Sequence, residues 1–150
     1  MPHIKSALDP LIEELCKIIS SLNEKITALT YAIKESGKKV QRLNEQSYKN
    51  NNLVKRNKDL EMCLKKIIQV KNILDSFYER ILQINQEYES KKLKSSPTVN
   101  VLQMIWVQLE ENEALIKEAI TEKKYNKLRI LSFVLTQALS CETQEERVSI

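Results

Sequence analysis

From Leu8 onward the apolar residues return as Leu8, Ile12, Leu15, Ile19, Leu22, Ile26, Leu29 and Ile33, spaced alternately by four and three. Spacing of this kind gathers side chains onto one stripe of an α-helix, whereas the period of two in a strand would scatter them over both faces. A stripe sustained over more than three heptads cannot stay in water, so it has to meet other helices. The rest of the chain offers little else to fold into. One glycine, Gly37, and three prolines in 150 residues leave almost no material for the tight turns of sheets or for loops that cradle phosphates. The chain is therefore expected to be all-α.

Asp9 and Pro10 read as an N-cap and a first-turn proline, which starts a first helix at 10–36. Its stripe weakens at Ser36 and Gly37, although Val40 and Leu43 keep the phase. The run around Asn50, Asn51 and Asn52 predicts a polar basic loop over 47–56. A second stripe, Ile67, Val70, Leu74, Phe77, Ile81, Ile84 and Tyr88, predicts a helix over 57–91. Ile68, Ile73, Tyr78 and Leu82 widen that stripe, which suits a helix buried against two neighbours. Ser96 as N-cap and Pro97 as first residue predict a third helix over 97–122, with Val99, Leu102, Trp106, Leu109, Ile116 and Ile120 on one side and Glu113 interrupting. Trp106 shares that stripe, which favours a place in the core. The run "LRILSFVLTQAL" predicts a short fourth helix over 126–140, and 141–150 reads as a disordered tail. Residues 1–140 are thus expected to form one elongated antiparallel helical bundle of three long helices and one short C-terminal helix, with coiled-coil-like heptad packing. The shorter fourth helix would leave the far end of the bundle without a wall, where exposed seam would need a partner.

Neither a membrane span nor the apolar stretch of a signal peptide is present, so a soluble chain in the cytoplasm or nucleus is expected. Cys16, Cys63 and Cys141 are odd in number and widely separated; they read as reduced, partly buried helix residues. Catalysis is not expected. The only histidine is His3, and glycine-rich loops, clustered metal ligands and a nucleophile elbow are all missing. No cofactor, metal or small-molecule substrate is foreseen. Charge is more informative, because Lys38, Lys39, Arg42, Lys49, Lys55, Arg56 and Lys58 stand against Glu45 alone. Such a patch suits RNA, a ribosomal surface or an acidic protein. Ser96-Pro97 has the form of a proline-directed phosphorylation site, and Val148-Ser149-Ile150 that of a carboxylate-captured peptide end.

The stretch Val70 to Glu87, "VKNILDSFYERILQINQE", resembles a helix of the AIRIM family of small ribosome maturation factors. Val70, Lys71, Ser76, Glu79-Arg80 and Gln83-Ile84 correspond without a gap. "SPTV", Ser96 to Val99, is similar to the family's Ser-Pro-Ser-Val, which also precedes an amphipathic helix bearing a tryptophan. The resemblance implies a non-enzymatic adaptor that binds a AAA+ ATPase complex and another helical subunit, and supports maturation of the large ribosomal subunit. It points to Glu79, Arg80, Gln83, Pro97, Val99, Leu102 and Trp106 as candidate partner contacts. A more distant likeness is to the helical companion subunit of the same complex, the cyclin-dependent kinase 2-interacting protein. The heptads by themselves leave open a structural subunit of an obligate coiled-coil assembly of kinetochore, tethering or Mediator type.

Overall fold

A computed structural model describes residues 2–45 and 51–148, with side chains over 3–42 and 53–141. Every secondary-structure element among them is a helix: α1 (Pro2–Glu45), α2 (Asn51–Glu89), α3 (Ser95–Glu111), α4 (Glu113–Ile120) and α5 (Glu122–Val148). The all-α bundle is as expected, but several boundaries differ for identifiable reasons.

α1 does not start at Pro10; proline lies inside it. An interior proline costs a helix about 3 kcal/mol. Ahead of it, however, Ile4, Ala7 and Leu8 are buried, and a fully buried Ile or Leu returns roughly 1.5–3 kcal/mol. Burial wins, and the helix runs through. The seam is also displaced. Leu8, Leu15 and Leu22 are buried as expected, yet Leu11 and Ile18 join them while Ile12 and Ile19 are only partly buried. α1 packs against α2 on one side and α5 on the other, so its buried face is wider than a two-helix seam.

α2 buries the residues expected of it, Ile67, Val70, Leu74, Phe77, Ile81 and Ile84. It lies antiparallel to α1, as the Lys5 ammonium near the start of α1 donates to Asn85 Oδ1 at 3.0 Å and pairs with Glu89 at 3.1 Å near the end of α2. Part of the loop expected over 47–56 is helix, since α2 begins at Asn51; residues 47–50, including Lys49, lie outside the described residues. The helix ends on Lys91, whose φ of 61° lets the Lys92 amide donate to Glu87 O (2.9 Å) and the Lys91 amide to Tyr88 O (3.1 Å). That is the usual left-handed helix stop with lysine in place of glycine.

Lys94, extended at φ −110°, precedes α3, and Ser95 and Ser96 sit in its first turn, so Ser96 is not the cap. Pro97 remains within the first turn, where a missing N–H is harmless. The expected 97–122 helix is two helices. The Asn112 amide turns back to Leu109 O at 3.1 Å, and the Asn112 side chain donates to Gln108 O at 3.0 Å, the carbonyl its own backbone would have served in a continuing helix. Thr121, at φ 91°, then separates α4 from α5; its hydroxyl accepts the Lys124 amide at 3.3 Å and caps α5. α5 is no short helix, and its run to Val148 replaces the tail expected over 141–150, of which Ser149 and Ile150 lie outside the described residues. The Glu-, Gln- and Arg-rich stretch past Cys141 is good helix-forming sequence.

Ion pairs fix how these helices sit. Glu14, nearly buried, meets Lys127 at 3.0 Å; Glu110 meets Arg129 at 3.8 Å; and Lys25 donates to Ala119 O at 2.8 Å, satisfying a carbonyl at the end of α4. α5 therefore runs antiparallel to α1 and to α3, giving an up-down-up-down body. The buried hydrophobic core spans Ile4 to Leu22 of α1 and Ile67 to Ile84 of α2. Beyond it α1 and α2 continue as a two-helix arm, about 30 Å long for the last twenty residues of α1. The unwalled end is present, but its cause is the length of α1 (44 residues) and α2 (39 residues), not a short fourth helix.

Candidate functional site

α3 and α5 run side by side and leave between them a groove of about 590 Å³. Val99, Leu102, Trp106, Ile130 and Phe133 line it, and Gln103, Thr136 and Gln137 add uncharged polar groups. Among the described residues its only charged lining residues are Glu110 and Arg129, which pair with each other across one end. The charges of its described lining thus cancel, and it offers apolar surface. Phe133 and Ile130 stand 62% and 63% exposed, and Met104, Val107 and Val134 are exposed on the same two helices.

Trp106 is half-buried. Its indole meets the Phe77 ring edge-on at 5.9 Å and the Tyr125 ring at 5.8 Å, so it joins α2, α3 and α5 from within while its remaining surface lines the groove. Edge-to-face geometry places the positive rim of one ring against the negative face of the next. Lys117, paired with Glu113 at 3.0 Å, lies 5.4 Å from the centre of the Tyr125 ring. Burial, with Glu113 nearby, pushes the Tyr125 hydroxyl above its ordinary pKa. Among the described residues neither that hydroxyl nor Trp106 Nε1 has a hydrogen-bond partner.

Five of the seven residues expected to touch a partner line one of two places. Val99, Leu102 and Trp106 share the α3–α5 groove, although Leu102 is fully buried in its floor. Arg80 and Pro97 share a smaller cleft of about 330 Å³ between α2 and α3 with Glu87, Lys92 and Lys94. Arg80 there donates to Gln83 Oε1 at 2.9 Å, and Glu79 is exposed on α2. The basic residues lie on the two helices that flank residues 46–50. Lys38, Lys39 and Arg42 near the end of α1, and Lys55, Arg56 and Lys58 near the start of α2, are all exposed, on a helical arm instead of a loop.

Ile130, Phe133, Met104 and Val107 were not anticipated as surface. The available signal was the nearly all-round apolar character of "LRILSFVLTQAL", more than one buried face can use. The cysteines, expected to be partly buried, are exposed and free; Cys16 lies against Tyr78, whose hydroxyl is raised by burial and then by the thiol. Among the described residues no group of three metal-binding side chains occurs and no helix is long and apolar enough to cross a membrane. No protein-family model, curated protein or solved structure matches this chain.

Proposed function

We propose that the chain is a non-enzymatic helical adaptor whose α3–α5 groove receives an amphipathic helix from a protein partner. One observation carries the reading: Phe133 and Ile130 lie more than half exposed beside Trp106 in a groove where, among the described residues, the only charges cancel. A neutral, apolar trough rimmed by glutamine and threonine suits the apolar face of a helix, with i, i+3, i+4 and i+7 anchors, and disfavours a charged segment. The resemblance of Val70–Glu87 and Ser96–Val99 to the AIRIM family supplies the partner's identity on this reading: a AAA+ ATPase complex acting in maturation of the large ribosomal subunit. The ATPase performs the chemistry, and this chain, in cytoplasm or nucleus, tethers it.

The test is affinity purification of the tagged full chain beside a Phe133→Asp/Ile130→Asp variant. A AAA+ ATPase and pre-ribosomal proteins should accompany the wild type and be lost from the variant. Absence of any AAA+ ATPase from the wild-type eluate overturns the assignment.

The arm favours a second reading, a subunit of an obligate coiled-coil assembly. Ile33, Val40, Leu60 and Leu64 keep part of their surface exposed beside the α1–α2 contact, and Tyr31 and Met62 are exposed. Heptad packing completed by further helices would cover them. Sedimentation of the isolated chain separates the two: a compact monomer removes the second reading, and an elongated oligomer removes the first.

A further inference from the structure

The arm holds a second surface, independent of the groove. On α1, Tyr31, Lys34, Lys38 and Arg42 follow one another at separations of three, four and four residues, which keeps them on one helix face. Tyr31 is 67% exposed, and the three cations beyond it are exposed as well. The neighbouring stretch of α2 runs antiparallel and adds Lys55, Arg56 and Lys58. Among the described residues the only ion pair made by any of these cations is that of Lys38 with Glu35, at 3.5 Å. Asp59 and Glu61 are the other acids on this part of α2, and Glu61 accepts from Asn57 at 3.5 Å.

Unpaired cations along a rod attract a polyanion, and most of them have no acid of their own to displace. An exposed aromatic in line with them adds what a merely solvated basic face lacks, a platform on which an unpaired base stacks. We infer that the arm binds single-stranded nucleic acid, with backbone phosphates on Lys34, Lys38, Arg42, Lys55 and Lys58 and one base on Tyr31. An acidic protein segment would use the cations but gain nothing specific from the ring, and a duplex hides the base faces.

The test uses the full chain and fluorescein-labelled 20-mers of oligo(U) and oligo(dT), read by anisotropy from 50 to 200 mM salt. Single strands release about 0.7 counterions per phosphate, so five contacts lower affinity about 130-fold over that range. The Lys38→Gln/Arg42→Gln/Lys55→Gln/Lys58→Gln variant should lose most of that dependence. Tyr31→Ala, at an exposed position and so without effect on the helical circular dichroism, should bind single strands about 5- to 150-fold more weakly with the salt slope unchanged. Tighter binding of oligo(U) or of oligo(dT) identifies RNA or DNA as the source. Binding without salt dependence, an unaltered affinity in Tyr31→Ala, or equal competition by polyglutamate would each overturn the proposal.

Discussion

Replacing Trp106 with alanine tests whether the indole holds the body together or only furnishes the groove. Removing a buried tryptophan costs about 3–5 kcal/mol. Trp106 keeps part of its surface in the groove, which argues for the low end. Against that, the substitution deletes two edge-to-face contacts, with Phe77 at 5.9 Å and Tyr125 at 5.8 Å, each worth about 0.5–1.5 kcal/mol. About 3 kcal/mol is the expected loss. With a urea dependence of about 1–3 kcal/mol per molar, the midpoint should fall by about 1–3 M. Unfolding followed by circular dichroism at 222 nm reads this without the lost fluorophore. Trp106→Phe, which retains a ring and removes an N–H with no partner among the described residues, should lose no more than about half as much. A Trp106→Ala chain within about 0.5 kcal/mol of wild type would refute the reasoning and make Trp106 a display residue, since losses that small belong to surface positions.

Tyr125→Phe should leave stability at pH 7 unchanged or raise it by about 1 kcal/mol, because it removes a buried hydroxyl that has no partner among the described residues. It should also change the alkaline limb. The folded Tyr125 pKa is raised, so this contribution is fully present below the unfolded value near ~10, and is lost as pH climbs past it while the unfolded chain sheds its proton first. Denaturation between pH 8 and 11 should show a shallower fall in the variant, and an identical fall would contradict the assignment. Thr121→Gly should raise the melting temperature by about 2–4 °C, a gain near ~1 kcal/mol. A β-branched residue at φ 91° stores about 1–3 kcal/mol, more than the few tenths lost with the cap and the ~0.5–1 kcal/mol entropic penalty of glycine; a lower melting temperature would show the hydroxyl cap to dominate.

How far the fold could be read from the residues depended on whether a feature is local. The α2 stripe was legible residue by residue because Val70, Leu74, Phe77, Ile81 and Ile84 all face one continuous core. On α1 half the stripe slipped by one residue, to Leu11 and Ile18, because a second neighbour, α5, turns the centre of its buried face. Pro10 misleads for a related reason. A proline at the start of a helix and one inside it have the same local surroundings, and what decides between them is the burial of Ile4 by distant residues. Neither break, at Asn112 or at Thr121, carries a glycine to announce it. The groove was the least legible part. Phe133 and Leu135 are both large and apolar and lie two residues apart, yet one is 62% exposed and the other 0%. Only the packing partner distinguishes them, and hydropathy does not contain it.

The placement of the two candidate surfaces bears on what an adaptor of this shape could do. The groove lies on the four-helix body, and the basic residues lie on an arm made from the extensions of α1 and α2. Because α1 and α2 are continuous helices from body to arm, the spacing between the surfaces is set by helix rise and not by a linker; about 1.5 Å per residue from Glu14, which pairs with Lys127 just before the groove residues of α5, to Lys38 gives roughly 36 Å. A rigid spacer of that length holds two ligands at fixed separation without the loss of effective concentration that accompanies a long flexible linker. Shortening α1 and α2 together by one heptad each, within the exposed part of the arm, would draw the surfaces closer by about 10 Å while each keeps its own contacts. Each ligand alone should then bind as before, and a bridging ligand pair should bind more weakly. Unchanged bridging would mean that the arm does not set the geometry.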